Sequence, residues 1–252
     1  MAIIHGESIV RDNLIFCLDA ADLSSNSTIW ADTVGKGSAY NLPVPLAGTI
    51  TGATYNADNN GNMIFDGSND EVTFGSAGAD LVNGLAELTL EMWFKSDAIN
   101  NDRGLIFGDN TSNDDDNGFS LRYDSAGFAG GGDDVIKASF GTNDTNTGSH
   151  SMIESSASIQ LIGTLNWMNI TVTCDVGTSI NLYKNGALDT PTYTLNGGSQ
   201  TTVSSCDDLV IGRGAKAALW DGKISIVRIY NRILTASEVL QNHNTLKSRF
   251  GL

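Results

Sequence analysis

Several residue patterns in this 252-residue chain have the types and spacing that chemistry needs. One is rich in oxygen. Asn113-Asp114-Asp115-Asp116-Asn117-Gly118 is followed, six residues on, by Asp124. Counted from Asn113, oxygen-bearing side chains fall at positions 1, 3, 5 and 12 with glycine at 6, as in an EF-hand calcium loop. Asn113, Asp115, Asn117 and Asp124 are therefore candidate Ca²⁺ ligands. Asn in place of Asp at the start and Asp in place of Glu at the end leave a solvated Asx-rich turn as the competing reading. A second pattern is aromatic. Trp30, Tyr123 and Phe128 are candidate platforms for the apolar faces of a sugar, and Phe128 stands among small residues in Ser125-Ala126-Gly127-Phe128-Ala129-Gly130. Trp220, just before Asp221-Gly222, reads as core. Acid–base and nucleophilic chemistry finds little support. His5, His150 and His243 lie far apart, and no G-x-S-x-G or Cys–His arrangement accompanies them. Gly130-Gly131-Gly132 lacks the lysine and the strand–loop–helix setting of a phosphate loop. Glu91 is alone on its strand, so it is expected to be solvated or salt-bridged, and Glu91→Gln is expected to leave stability nearly unchanged.

The elements that must position these residues are mostly strands. Period-two alternation and short β-type runs predict strands near Leu14–Leu18, Met63–Phe65, Glu71–Phe74, Leu88–Lys95, Gly104–Phe107, Phe119–Tyr123, Val135–Phe140, Met168–Thr173, Ser179–Lys184, Leu209–Ile211 and Lys223–Tyr230. In Leu88–Lys95 the apolar face is Leu88, Leu90, Met92 and Phe94. Thr89, Glu91, Trp93 and Lys95 face solvent or a groove. Phe94, Trp167, Ile170, Val172 and Leu182 are expected between two sheets. Asn185-Gly186 predicts a type I′ hairpin turn. One helix is predicted, and it is terminal. Thr235-Ala236-Ser237-Glu238 is a capping box, after which Val239, Leu240, His243 and Leu246 share a stripe.

Composition agrees with an all-β chain. Asp (23), Asn (24) and Gly (28) dominate, and these residues favour turns over helix interiors. The net charge of -15 argues against a nucleic-acid groove, which needs clustered Lys and Arg, and against an anionic membrane surface. No run reaches the length of a membrane span. The N-terminus does not read as a signal peptide. Cys17, Cys174 and Cys206 are sparse and odd in number, so buried free thiols are expected rather than a disulfide framework. These features point to synthesis and folding in a reducing cytoplasm.

In this order of strands, four stretches resemble the laminin-G-like family of concanavalin-A-type jelly rolls. Phe65-Asp66-Gly67-Ser68-Asn69-Asp70-Glu71-Val72 resembles the family's F-D-G-x-D-D-Y-V. Leu88–Lys95 resembles its aromatic strand. Trp167–Thr173 with Leu182-Tyr183-Lys184-Asn185-Gly186 resembles W-x-H-V-A-V-T … L-Y-V-N-G. Leu209-Val210-Ile211-Gly212 and Asp221–Leu234 resemble the closing segment. The resemblance implies a single domain over 1–252: a two-sheet antiparallel jelly-roll sandwich with a C-terminal helix. It also implies a structural Ca²⁺ in many members, for which Asp66 and Asp70 are the candidates here. The family's Asp in the closing strand falls at Ser225. Glucanases of this architecture need E-x-D-x-x-E on one strand face, and the sequence has no such run.

A narrower resemblance lies at the ends. Leu14-Ile15-Phe16-Cys17-Leu18-Asp19-Ala20-Ala21 with Trp30-Ala31-Asp32, and the tail Asn242–Leu252, resemble laminin-G-like domains of tailed-phage virion proteins. The function this implies is a non-enzymatic virion protein displaying a lectin-like domain, with host-surface polysaccharide as ligand and other virion subunits or a sister copy as partners. A stand-alone lectin without a virion role is the alternative. Segments 1–12 and 247–252 are expected either to dock on a partner or to fold back over the sandwich.

Overall fold

In the computed structural model the described residues are 8–34, 46–97, 102–108, 118–124, 135–141, 150–155, 166–191, 193–196, 201–214 and 218–252. In chain order the strands are β1 Leu14–Asp19, β2 Ile29–Ala31, β3 Ala47–Thr51, β4 Thr54–Asn56, β5 Asn62–Asp66 and β6 Glu71–Thr73. Then follow β7 Glu87–Ser96, β8 Arg103–Phe107, β9 Gly118–Asp124, β10 Val135–Gly141, β11 His150–Glu154 and β12 Met168–Asp175. The last are β13 Ser179–Lys184, β14 Ala187–Leu188, β15 Tyr193–Asn196, β16 Val210–Ile211 and β17 Asp221–Tyr230. Helix α1, Gly75–Val82, separates β6 from β7, and α2, Ala236–Leu246, closes the chain with a 3₁₀ turn at Lys247–Phe250.

All pairings are antiparallel and form two sheets. One has the order β14-β13-β12-β7-β17-β5-β4, and the other β15-β11-β10-β9-β8-β16-β6-β3-β2. The jelly-roll expectation holds. The far edge of β17 is shared by two strands: β5 pairs with Asp221–Ile224 and β1 with Ile226–Tyr230. A bulge between Ile224 and Ile226 on the β7 side places Ser225 at the seam between them.

The predicted alternation explains the core. Leu88, Leu90, Met92 and Phe94 of β7 and Ile170, Val172 and Leu182 of the neighbouring strands enter the inter-sheet cluster together with Phe16, Phe65, Leu121 and Ile136. Trp167 is buried too, but on the other side of its sheet, where it packs with Trp93, Ile226 and Phe250. Its place between the sheets is corrected accordingly, because Trp167 precedes β12 and turns under the C-terminal tail. Asn185 and Gly186 adopt φ of 50° and 78°, as a type I′ turn requires.

The helix begins with its predicted capping box: Glu238 N–H donates to Thr235 Oγ1, and Thr235 N–H donates to the Glu238 carboxylate. Its buried face is rotated from the expected stripe. Val239, Asn242 and His243 are buried, whereas Leu240 is 46% exposed. Asn242 goes inward because a buried carboxylate lies beneath it. Helix α1 and strands β2, β3, β4, β11, β14 and β15 were not predicted. Gly75-Ser76-Ala77-Gly78 carries little helical signal, and Gly78 is placed by packing against Phe74 and Leu209.

Candidate functional site

The aromatic candidates divide. Trp30 and Tyr123 are fully buried. Tyr123 lies two residues beyond Leu121 and four beyond Phe119 on β9, so period-two geometry turns all three into the core. Trp30 enters the same cluster from β2. Neither can serve as a sugar platform, and both assignments are corrected to core. Phe128, Asn113, Asp115 and Asn117 lie outside the described residues. Asp124 ends β9, opposite Val135. Asp66 and Asp70 are brought together in one turn, where Asp70 Oδ2 accepts from Asp66 N–H at 2.8 Å and Asp66 Oδ1 accepts from Ser68 N–H at 2.8 Å. Burial raises the Asp70 carboxyl above its ordinary value, against the Asp66 amide bond that lowers it.

The polar face of β7 is neither solvent-exposed nor a groove. Helix α2 and residues 8–10 cover it, and Thr89, Glu91 and Trp93 are buried. Glu91 Oε1 accepts from Arg228 Nη1 at 3.2 Å, Trp93 Nε1 at 3.2 Å and Asn169 Nδ2 at 3.4 Å. Its Oε2 accepts from Asn242 Nδ2 at 2.9 Å. Asn242 also donates to Tyr230 Oη and accepts from Val10 N–H, while Tyr230 Oη donates to the Val10 carbonyl. Burial by itself would lower the Arg228 guanidinium; the Glu91 carboxylate, together with Cys17 and Tyr230, more than offsets this and holds it above its ordinary value. Tyr230 is pushed up by burial and then by Glu91. Of the two expectations for Glu91, the salt bridge holds, to Arg228, while the solvated alternative is corrected to a buried carboxylate.

A cleft of about 590 Å³ opens beside this network, where the N-terminal segment meets α2. Its polar lining includes Arg11, Asp22, Thr33 and Thr245, and its apolar lining Ile9, Val34 and Leu246. Ile9 and Val34 pack on the buried cluster of Leu14, Tyr230 and Val239, which gives the cleft an apolar wall. The Leu14–Asp19 and Trp30–Asp32 motifs build this region. Asp32 Oδ1 accepts from Cys17 N–H at 2.8 Å and Val34 N–H at 3.0 Å, tying the second motif to the first. Sequence reasoning missed the cleft because its walls come from opposite ends of the chain.

A second polar surface lies on the nine-stranded sheet, away from the core. Arg122 pairs with Lys137 across β9 and β10, and Ser120 with Ser139. Lys137 in turn pairs with Glu154 of β11. The alternation in Phe119–Tyr123 and Ile136–Phe140 already segregates these polar residues from the core set. Arg122 and Lys137 are nonetheless buried, so the cleft is the more accessible of the two surfaces.

Calcium, implied by the resemblance, does not fit at the closing strand. Ser225 Oγ donates to the Gly61 carbonyl at 2.7 Å and accepts from Arg249 Nη2 at 2.9 Å, so a guanidinium stands beside it. Of segments 1–12 and 247–252, expected to dock or to fold back, residues 1–7 lie outside the described residues, and residues 8–10 and 247–250 are held on the sandwich by Asn242, Gln241, Asp19 and the aromatic cluster of Trp93 and Trp167. Among the described residues, no helix is long and apolar enough to cross a membrane.

Known structures share this architecture. Domain 4 of the extracellular GH43 arabinanase AbnA from Geobacillus stearothermophilus, solved with arabinotriose, superposes with a TM-score of 0.60 at 15% identity, covering 92% of this chain and 98% of that one. The receptor-binding domain of botulinum neurotoxin C/D mosaic serotype gives 0.61 at 16% identity, over 94% of this chain. The botulinum neurotoxin DC binding domain in complex with SialylT gives 0.62 at 14% identity, over 93% of this chain. The present chain spans about half of those toxin domains, 52% in both. At these identities the likeness is one of fold. No curated protein sequence matches the chain significantly. The family profile described as the concanavalin A-like lectin/glucanases superfamily, of laminin G type, matches residues 65–240. With that match over most of its length, on two antiparallel sheets closed by a helix, the chain belongs to the concanavalin A-like lectin/glucanases superfamily.

Proposed function

We propose that this protein is a non-catalytic, carbohydrate-binding member of its superfamily, carried on a tailed-phage particle and directed at a host-surface polysaccharide. The cleft carries the reading. Its volume of about 590 Å³ suits a short saccharide. Hydroxyl, carboxylate and guanidinium groups at Thr33, Thr245, Asp22 and Arg11 match sugar hydroxyls, and the Ile9, Val34 and Leu246 wall matches the C–H faces of a pyranose or furanose ring. Binding rather than hydrolysis is supported by Glu91. Hydrolysis needs two carboxyl groups flanking a glycosidic bond; both Glu91 oxygens are committed to buried donors, and of the two cleft carboxylates, Asp19 and Asp22, Asp19 has both oxygens held by Arg249. The arabinanase domain crystallised with arabinotriose adds a carbohydrate precedent on the same fold.

The virion role is supported by the phage-like motifs at Leu14–Ala21, Trp30–Asp32 and the C-terminal tail. It is also supported by the three cysteines, free and buried, as suits folding in a host cytoplasm. Contact with other virion subunits or a sister copy is assigned to the surface around the two chain ends, where Leu252 is exposed.

A glycan array with purified protein tests the ligand. A hit weakened tenfold or more by Arg11→Ala/Asp22→Ala, but not by Leu188→Ala on the opposite sheet edge, places the ligand in the cleft. A hit indifferent to the cleft double variant moves the site elsewhere, and an array without hits removes the carbohydrate reading. Mass spectrometry of purified particles tests the display. Glycan binding by a protein absent from particles would favour the stand-alone lectin.

A further inference from the structure

The seam on β17 holds a cation that belongs to the chain itself. Arg249, in the terminal 3₁₀ turn, sends its guanidinium to the point where β1 ends and β5 begins. Nη1 donates to both Asp19 carboxylate oxygens at 2.9 Å. Nε donates to the Asn59 carbonyl at 2.6 Å. Nη2 donates to the Asn60 and Gly61 carbonyls at 3.0 Å and to Ser225 Oγ at 2.9 Å. Six oxygens of five residues thus converge on one guanidinium.

The backbone is shaped for this convergence. Asn59, Asn60 and Gly61 have φ of 54°, 57° and 105°, and a Cβ at Gly61 would lie 2.4 Å from the Ala20 carbonyl oxygen. Asn tolerates the left-handed region better than other side chains, and Gly61 admits the close approach of the β1 end. The Asn59 side chain is fixed from both sides, since Nδ2 donates to the Arg249 carbonyl and Oδ1 accepts from Trp167 Nε1. Phe250 then stacks on Trp93, ring centroids 4.4 Å apart, and pins the turn that carries Arg249.

A carboxylate, three carbonyls and a hydroxyl form an all-oxygen donor set of the kind a hard divalent cation takes. We infer that this cradle is a cation site whose resident cation is the Arg249 guanidinium. The C-terminal tail thereby does the work of a structural metal, and the sandwich closes without calcium. Removing the guanidinium leaves a site that Ca²⁺ can enter, with Asp19, whichever carbonyls close on the ion, and water completing its shell.

Thermal melting of the full chain in millimolar calcium or in EDTA tests this. The wild type is expected to melt at the same temperature in both. Arg249→Ala should melt at least about 5 °C lower in EDTA, and calcium should recover half or more of that loss. Arg249→Ala/Asp19→Asn should show no recovery. Three results overturn the inference: wild-type protein destabilised by EDTA, Arg249→Ala melting like wild type, or Arg249→Ala unresponsive to calcium. Should Arg249→Ala not fold in either buffer, Asp19→Asn alone decides. A calcium-insensitive drop in melting temperature supports the resident cation, and unchanged melting overturns it.

Discussion

Glu91 is the residue whose environment departs furthest from its sequence context. Alternation on β7 turns it away from the inter-sheet core, yet it is fully buried beside Arg228, whose side chain is 3% exposed. Charges removed from water are costly unless they compensate one another, and removing one partner strands the other. Glu91→Gln leaves the guanidinium of Arg228 buried without its counter-charge, so urea denaturation should show a loss of about 3–5 kcal/mol. Replacing both residues, Glu91→Gln with Arg228→Met, should recover part of that loss. A Glu91→Gln variant as stable as the wild type would restore the solvated reading. Phe94 is the apolar counterpart on the same strand. It is fully buried and meets Trp220 edge-on at 5.4 Å. Truncation to Ala should cost about 3–5 kcal/mol in the same titration.

At the scale of elements, α2 is the lid of the polar network, and His243 is its titratable contact. The imidazole lies flat on Trp93, centroids 5.4 Å apart. Burial holds its pKa below the ordinary 6.5, Lys247 lowers it further, and Glu91 opposes both. The folded chain therefore binds this proton less tightly than the unfolded chain. The associated stability is complete above about 6.5 and is lost as pH falls through the lower folded value. His243→Phe keeps a ring on Trp93 without a titrating group. Urea titrations at about pH 8 and about pH 5 should show the wild type losing more stability on acidification than this variant. Equal losses would mean that His243 does not titrate against the lid. The capping box is a separate contribution: Thr235→Ala should cost about 1 kcal/mol, read by the same method.

For the whole molecule, the inter-sheet core holds Cys174 and Cys206 and one outer cluster holds Cys17, and burial pushes Cys174 up to about 12. Reactivity requires the thiolate and access to it. A maleimide reagent should accordingly leave Cys174 unlabelled in native protein and label all three thiols after unfolding in urea. Rapid labelling of Cys174 in native buffer would contradict the closed sandwich. A reductant should leave the melting temperature unchanged, because no disulfide links these residues.

Much of this architecture was legible in the chain itself. Strong alternation placed β7, β9, β10, β12 and β17, because a strand with one buried face must write that face at every second position. Thr235 and Glu238 marked the helix start, and Asn185-Gly186 marked a turn, since both depend on near neighbours only. Short strands such as β2, β4 and β14 carry too few residues to show a period, and α1 is dictated by what surrounds it. Facing is the deeper gap. Alternation separates Glu91 from Phe94, but it cannot say that α2 will cover Glu91, nor that Asn242 rather than Leu240 will turn inward. The cleft and the Arg249 cradle lie further beyond local reading. Asp19, Asn59 and Ser225 are remote in sequence from Arg249 and meet it only because β1 and β5 share one edge of β17. Local sequence determines which residues prefer water and which backbone angles are allowed; only the pairing of distant strands decides which oxygens converge on one charge.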